Sequence, residues 1–208
     1  MPQPPTTVIF DLGGVLIDWN PRYLYRSLFD DEAAMERFLA EICSPDWNLS
    51  LDAGRGFAEA VAELCARHPH ERARIEAYQA RWLEMIAGPM PDTVALLEEL
   101  HARGVPLWAL TNWSAETFRL VRHEPAYGFL DRFRRIFVSA ELRMIKPDPA
   151  IFRHTLEEIG VPAETCLFID DSARNIAAAQ ALGLHGHRFT DASALRAELA
   201  RHGLLAQA

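Results

Sequence analysis

The sequence has few cysteines, and their spacing suits neither cross-linking nor zinc binding. Only three of 208 residues are cysteine, Cys43, Cys65 and Cys166, an odd number with no C-x-x-C pair. A disulfide framework needs paired cysteines, and a zinc site needs clustered cysteine or histidine ligands. We therefore expect three reduced, buried thiols.

Targeting and membrane-spanning signals are also missing. The first seven residues, MPQPPTT, contain neither the basic stretch nor the apolar stretch of a signal peptide. No uncharged apolar run approaches the roughly 18 residues that a membrane-spanning helix needs. These features predict a cytoplasmic protein without a membrane partner.

Positive charge is scarce in this sequence. Lysine plus arginine number 21 against 29 aspartate plus glutamate, which gives a net charge of −8. Proteins that bind nucleic acid rely on a positively charged surface to displace counterions from phosphates. We therefore expect no nucleic-acid partner, although a small anion could bind where the site itself reverses the acidic field.

The sequence does have the composition of a folded globular protein, with half of its residues hydrophobic and 24% charged. A short apolar run from Val8 to Phe10 predicts a strand that ends at Asp11. Between about residues 21 and 87 we predict only helices, because apolar residues there recur three and four positions apart. These stripes are Met35/Phe38/Leu39/Ile42, Phe57/Val61/Leu64/Cys65 and Ile75/Tyr78/Trp82/Met85.

After the helix-breaking stretch 88–91, predicted helices and strands alternate. The first helix is expected to begin near Asp92, as its N-cap, and to end at Gly104. The strands that follow are predicted at 107–110, 136–138, 166–169 and about 186–189, and the helices near 115–122, 149–159, 173–182 and 192–201. Such alternation predicts an α/β fold with a doubly wound parallel sheet. Its core would comprise residues 1–16 and 89–208, with an all-helical insert at 17–88.

Polar residues follow the ends of four predicted strands, where an open parallel sheet binds its ligands. They are Asp11, Thr111 with Asn112, Lys146 in the loop after the third strand, and the pair Asp170 and Asp171. Each residue alone is consistent with an ordinary turn or helix start. Their joint placement predicts a functional site at one edge of the sheet.

The segments VIFDLGGVL, ALTNWS, IKPDP and FIDDSARN resemble, in this order, the four motifs of the haloacid dehalogenase (HAD) superfamily. The resemblance covers essentially the whole chain and is closest to glucose-1-phosphatase-like phosphatases. It implies a Rossmann-like core, a mobile helical cap and magnesium-dependent phosphoryl transfer through an aspartyl-phosphate.

The resemblance also implies roles for individual residues. Asp11 would attack phosphorus, while Thr111, Asn112 and Lys146 would hold the phosphoryl oxygens. Magnesium would be bound by Asp11, the main-chain carbonyl of Gly13 and Asp171, with Asp170 behind them or as an alternative ligand.

One position departs from the family pattern. Phosphatases of this family usually carry a second aspartate two residues after the nucleophile, as general acid and base, and this chain has Gly13 there. Three functions are consistent with the change: a phosphatase for substrates that need little leaving-group protonation, such as a sugar phosphate; a metal-free 2-haloacid dehalogenase; or a ligand-binding or regulatory protein with weak turnover. The adjacent carboxylates Asp170 and Asp171 favour the phosphatase, because beside Asp11 they would repel each other and the carboxylate of a 2-haloacid unless a cation lay between them.

The substrate is expected to be a small anionic metabolite that is recognised by the cap. The segment 45–54 joins two predicted cap helices, and we consider Trp47 and Asn48 as substrate-binding residues. An ordinary helix connection with Trp47 packed inward is an equally good interpretation of this segment. Further candidates near the predicted hinge and strand ends are Trp19, Asn20, Arg22 and Trp113.

Overall fold

The computed structural model describes residues 4–206, which form one central sheet, a small second sheet and eleven α-helices. The seven strands are β1 (Thr7–Phe10), β2 (Ile17–Trp19), β3 (Ile86–Pro89), β4 (Leu107–Thr111), β5 (Ile136–Val138), β6 (Cys166–Asp170) and β7 (His185–Arg188).

The central sheet is parallel, with strand order β5-β4-β1-β6-β7. β1 lies at its centre and pairs with β4 on one side and β6 on the other. Alternate residues of β1 enter two apolar clusters, with Val8 and Phe10 in one and Ile9 in the other. This alternation is what a strand covered by helices on both faces requires. The sheet confirms the predicted Rossmann-like α/β fold.

Six helices flank this sheet: α6 (Pro91–Ala102), α7 (Ala115–Arg122), α8 (Ser139–Leu142), α9 (Pro149–Ile159), α10 (Ala173–Ala181) and α11 (Ala192–Arg201). The helix α9 begins as its sequence predicts, because the Asp148 side chain accepts a hydrogen bond from the main-chain N–H of Ala150. The prediction for α6 was wrong at its start. Pro91, whose ring suits a first helical position, already opens that helix after Met90, and Asp92 therefore lies inside its first turn.

The other five helices lie between β2 and β3 and form what we call the helical insert (residues 20–85). They are α1 (Arg22–Tyr25), α2 (Glu32–Glu41), α3 (Pro45–Asp52), α4 (Phe57–Arg67) and α5 (Arg72–Ala80). The stripe from Ile75 to Met85 does not form one helix, because α5 ends at Ala80 and a 3₁₀ turn spans Trp82–Met85. The predicted connection at 45–54 is largely the helix α3, which Ser44 caps and Pro45 starts.

The insert joins the rest of the chain through an antiparallel pair that the sequence did not predict. β2 pairs with β3 beside the predicted hinge, with Asp18 opposite Gly88. Gly88 has a φ of +132°, a conformation that glycine adopts without strain. The two chain crossings between the sheet and the insert are thus held side by side.

The apolar core runs without a break from the central sheet into the insert, since Phe10 and Tyr25 belong to the same buried cluster. The three cysteines are free and buried, as expected. Within residues 4–206, no helix combines the length and the hydropathy needed to cross a bilayer.

Candidate active site

Three neighbouring strands bring the predicted site residues together at their carboxyl ends. Asp11 follows β1, Thr111 ends β4, and Asp170 ends β6, with Asp171 next in the chain. Because β1 lies between β4 and β6, the Asp11 carboxylate is flanked from both sides. The site therefore sits where the order of the parallel strands reverses, as expected for this class of sheet.

Lys146 is the centre of a buried ion-pair network. Its Nζ lies 2.9 Å from Oδ2 of Asp11 and 2.7 Å from Oδ2 of Asp170, and it also donates a hydrogen bond of 2.9 Å to the carbonyl oxygen of Leu110. Lys146 is the single lysine of the sequence and is 2% exposed. All three ammonium protons thus have protein acceptors. The structure places this charge against Asp11 and Asp170, and the predicted contact with phosphoryl oxygens stays a prediction.

Asn112 holds the loop that carries Lys146. Its side-chain oxygen accepts from the main-chain N–H of Lys146 at 2.8 Å, and its amide nitrogen donates to the main-chain carbonyl of Lys146 at 2.9 Å. The predicted role of Asn112 was substrate binding. One amide proton and the carbonyl oxygen bind Lys146, so Asn112 positions that residue, and because Asn112 also lines the cavity, substrate binding stays a prediction.

The two adjacent aspartates have different surroundings. The Asp170 carboxylate is fully buried and accepts hydrogen bonds from Lys146, Asn175 and the main-chain N–H of Ser172. Asp171 is exposed and lines the cavity next to Asp11. Asp170 therefore supports the site from behind, and Asp171 can contact a ligand. Sequence reasoning missed Asn175, although it lies within the fourth motif.

The carboxylates of Asp11, Asp170 and Asp171 fit a magnesium ion. Each offers an oxygen within 4.8 Å of the others', and hard oxygen ligands are what Mg²⁺ prefers. Together with the Lys146 ammonium, these ionised groups carry a charge of −2, which a divalent cation would neutralise. The main chain also approaches closely, because a Cβ added at Gly14 would lie 2.7 Å from Oδ2 of Asp171.

Burial controls the protonation of this cluster. It raises the pKa of Asp11 to about 7, with the Asp170 charge acting in the same direction and Lys146 opposing both. The pKa of Asp171 is also raised, by burial and then by Asp170. The pKa of Lys146 is raised because its two carboxylate partners outweigh its burial. Two contacts orient the carboxylate of Asp11, the candidate nucleophile. One is the Lys146 ammonium, and the other is the main-chain N–H of Leu12, which donates to Oδ1 of Asp11 at 2.7 Å.

A cavity of about 310 Å³ opens between the strand ends and the helical insert. Its strand-end wall consists of Asp11, Gly13, Gly14, Thr111, Asn112, Trp113, Ser114, Thr117 and Asp171. Its insert wall consists of Asn48, Asp52, Phe57 and Trp82, with Trp19 of β2 beside them. Among the described residues that line it there is no arginine, lysine or histidine. The cavity thus offers no cation to a second anionic group on the ligand.

Of the two substrate-binding candidates in the insert, the structure places only Asn48 on the cavity. Trp47 points into the insert core, 7% exposed, and meets the ring of Tyr78 edge-on at 4.9 Å between centroids. On a helix, neighbouring residues point in different directions, so Trp47 packs inward while Asn48 faces the ligand space. The Asn48 side chain accepts from the Tyr78 hydroxyl and donates to Asp52.

Asp52 is a cavity residue that sequence reasoning missed. It is 9% exposed, and the segment that contains it gave no strand end or family motif. Burial raises the pKa of Asp52 to about 7, while Ser114, Lys146 and Asn48 oppose this shift. The available indication was the presence of carboxylates in the segment 45–54, in which only Trp47 and Asn48 were substrate-binding candidates.

Comparison with known proteins identifies relatives over most of the chain. The family model for haloacid dehalogenase-like hydrolases matches residues 5–183. The sesquiterpene phosphatase of Aspergillus oryzae is 32% identical and the match covers 92% of this chain and 93% of that protein. The phosphoglycolate phosphatase of Rhodospirillum rubrum is 30% identical over 86% of this chain and 77% of that protein. A HAD family enzyme from Bacteroides thetaiotaomicron, solved with magnesium and inorganic phosphate, has the same fold, with a TM-score of 0.69 and 24% identity over 89% and 94% of the two chains.

Proposed function

Because this chain belongs to the haloacid dehalogenase-like hydrolase family and has phosphatase relatives, it is a hydrolase that acts on phosphoric monoesters, and we propose that it is a magnesium-dependent phosphatase. The observation that carries the proposal is the Asp11 carboxylate, which two hydrogen-bond donors orient at the floor of the cavity. In this proposal Oδ of Asp11 attacks phosphorus and forms an aspartyl-phosphate, which water then hydrolyses.

The surrounding residues support this chemistry by position and charge. Lys146 holds Asp11 in place and offsets the charge of Asp170, and Thr111 offers its hydroxyl to a phosphoryl oxygen. Asp11, the main-chain carbonyl of Gly13 and Asp171 would hold magnesium, with Asp170 behind them. When bound, the ion supplies positive charge against the phosphoryl oxygens.

The cavity wall favours a phosphate ester with a neutral, largely apolar organic group. A substrate carboxylate, as in phosphoglycolate or a 2-haloacid, would meet Asp52 and no basic side chain among the described residues. Phe57, Trp82 and Trp113 instead offer aromatic surface. The A. oryzae relative, named as a sesquiterpene phosphatase, is consistent with this preference. The sequence suggested a sugar phosphate as the substrate. This stays a prediction, and the substrate panel below tests it as well.

We further propose that residues 17–88 act as a cap on a core of residues 1–16 and 89–208. Support comes from the β2–β3 pair, which joins the two parts at adjacent crossings, and from the cavity between them. Closure of such a cap would exclude water from the aspartyl-phosphate except for the attacking molecule.

The test is a substrate panel assayed with Mg²⁺ and with EDTA. It contains p-nitrophenyl phosphate, prenyl and aromatic phosphates, sugar phosphates and phosphoglycolate. We expect hydrolysis that requires Mg²⁺ and is highest for the prenyl and aromatic esters, with a loss of at least about 10⁴-fold in Asp11→Asn. Asp18→Asn is the matched control and should keep most of the activity.

Two other outcomes would contradict the proposal. Metal-independent release of chloride from a 2-chloro acid would identify a dehalogenase. Binding of phosphate esters without any turnover would identify a ligand-binding protein.

A further inference from the structure

We infer that Asp52, on the helical insert, is the general acid and base of the reaction and supplies the proton that the missing aspartate at position 13 would supply. This inference rests on the proposed phosphatase function. It assigns a catalytic role to a residue outside the four motifs.

The position of Asp52 agrees with the geometry of an in-line displacement. In such a reaction the nucleophile and the leaving oxygen lie on opposite sides of phosphorus. With Asp11 on the strand-end wall, the leaving oxygen points toward the insert wall, and Asp52 is the carboxyl group of that wall. A general acid has to lie within hydrogen-bond reach of that oxygen.

The other titratable groups of the cavity already have different tasks. Among the described lining residues, only Asp11, Asp52 and Asp171 titrate. Asp11 attacks phosphorus and Asp171 is a proposed magnesium ligand, which leaves Asp52. Among residues 4–206 and apart from its two chain neighbours, no atom lies within 4 Å of a Cβ added at Gly13. No side chain from another described segment therefore takes the place of the missing aspartate at that point.

Asp52 is held in place from both parts of the molecule. Nδ2 of Asn48 donates to its Oδ2 at 3.0 Å, and the main-chain N–H of Ser114 lowers the pKa of the same carboxyl group. The Ser139 hydroxyl donates to its main-chain oxygen at 2.6 Å. Beyond it, Gly54 approaches α8 so closely that a Cβ would lie 2.9 Å from the carbonyl oxygen of Ala140. The carboxyl group is therefore fixed relative to the strand ends.

The protonation of Asp52 suits a group that must first give and then accept a proton. Burial raises its pKa to about 7, so both forms are populated near neutral pH. The charged or titratable groups that face it are Lys146, which lowers this pKa, and Tyr78, whose own pKa is raised by burial and then by Asp52. The Ser114 N–H and Asn48 stabilise the ionised form.

The two half-reactions balance with this single group. As Oδ of Asp11 bonds to phosphorus, the ester P–O bond breaks and the proton of Asp52 moves to the departing alcohol oxygen. The Asp52 carboxylate then takes a proton from the water that attacks the aspartyl-phosphate. Inorganic phosphate leaves, and both Asp11 and Asp52 return to their starting states.

Leaving-group dependence tests this role directly. Asp52→Asn and the control Asp46→Asn, an exposed aspartate on the same helix, are assayed with an alkyl phosphate and with p-nitrophenyl phosphate in Mg²⁺. For Asp52→Asn we expect kcat with the alkyl ester to fall about 10²- to 10⁴-fold, and less than about tenfold with the nitrophenyl ester, whose leaving group needs little protonation. In the wild type, kcat with the alkyl ester should decline at high pH as the general acid loses its proton, and this decline should be absent in Asp52→Asn.

Equal losses on both esters, or no loss, would overturn the inference while leaving the phosphatase proposal intact. Absence of Mg²⁺-dependent turnover in the wild type would overturn both. Thermal unfolding shows whether Asp52→Asn is folded. If it is not folded, Gly13→Asp in the otherwise unchanged protein is the deciding variant. If Asp52 is the general acid, kcat with the alkyl ester should rise less than about tenfold in Gly13→Asp. If the protein has no general acid, kcat should rise about 10²-fold or more. If Asp52→Asn does fold, adding Gly13→Asp to it should restore activity on the alkyl ester more than activity on the nitrophenyl ester.

Discussion

The two walls of the cavity are built in different ways. The strand-end wall is charged and held by a buried network in which Lys146 joins Asp11 to Asp170, and Asn112 and Asn175 fix the partners. The insert wall is mainly aromatic and is held by packing, with Asp52 as its single ionisable group among the described lining residues.

This difference separates the tasks of the two walls. Charges that act on a phosphoryl group have to be pre-positioned, because reorienting them during the reaction costs free energy. A wall that recognises an organic group needs shape and apolar area instead. The charged residues of the strand-end wall should therefore tolerate no change in charge, whereas the insert wall should tolerate changes in size.

The largest expected effect on stability comes from removing the central cation. Lys146→Met leaves the buried carboxylates of Asp11 and Asp170 without their partner. We expect the free energy of unfolding to fall by about 3–5 kcal/mol, as for other broken buried ion pairs. Urea unfolding measures it. Arg132→Met, which removes the exposed ion pair with Glu98, is the matched control and should cost no more than about 1 kcal/mol. Equal losses of unfolding free energy in the two variants would show that the buried ion-pair network stabilises the protein no more than an exposed ion pair does.

A second effect concerns pH and the insert wall. The folded state keeps a proton on Asp52 up to a pKa of about 7, against an ordinary value of 3.8. The folded state thus binds more protons than the unfolded state, and stability falls as pH rises through this interval. Between pH 5 and pH 8 we expect the wild type to lose about 2–3 kcal/mol relative to Asp52→Asn, which does not titrate. Parallel pH curves of the two proteins in urea unfolding would contradict this.

Two adjacent glycines provide a smaller effect with an internal control. Gly14 has a φ of +71°, and a Cβ there would meet the Asp171 carboxylate, whereas a Cβ at Gly13 would have no atom of another described segment within 4 Å. We expect Gly14→Ala to lower the free energy of unfolding by about 1–2 kcal/mol or more and to raise the Mg²⁺ concentration needed for activity. Gly13→Ala should do neither. Thermal unfolding and Mg²⁺ titration distinguish the two variants. Equal behaviour would show that contact of a Cβ at position 14 with Asp171 does not cause the effects.

The smallest effect is expected on the insert wall. Phe57→Leu removes part of an aromatic surface that lines the cavity. We expect KM for p-nitrophenyl phosphate to rise about 3- to 10-fold with little change in kcat, because apolar contact with the organic group is present before and during the reaction. Phe129→Leu, a buried phenylalanine outside the cavity, controls for general loss of packing. A change in kcat alone would place Phe57 in the chemistry instead.

The sequence alone predicted the strand-end wall well. Alternating helices and strands, and a polar residue directly after each apolar run, determine which residues meet at the sheet edge, since parallel strands end together. The sheet, the free cysteines and the start of α9 at Asp148 follow from such local patterns. The sequence did not identify Asn175, because its hydrogen bond to Asp170 forms only when α10 packs against β6.

Only the tertiary structure decided what the insert contributes. The direction of Trp47, the pairing of β2 with β3 and the presence of Asp52 on the cavity depend on how the helices dock, and docking is set by contacts between residues far apart in the chain. The same holds for Lys146: its positive charge is visible in the sequence, but burial against Asp11 and Asp170 gives that charge its effect. Local patterns determine the strand ends, whereas desolvation and long-range packing determine which groups face each other and in which protonation state.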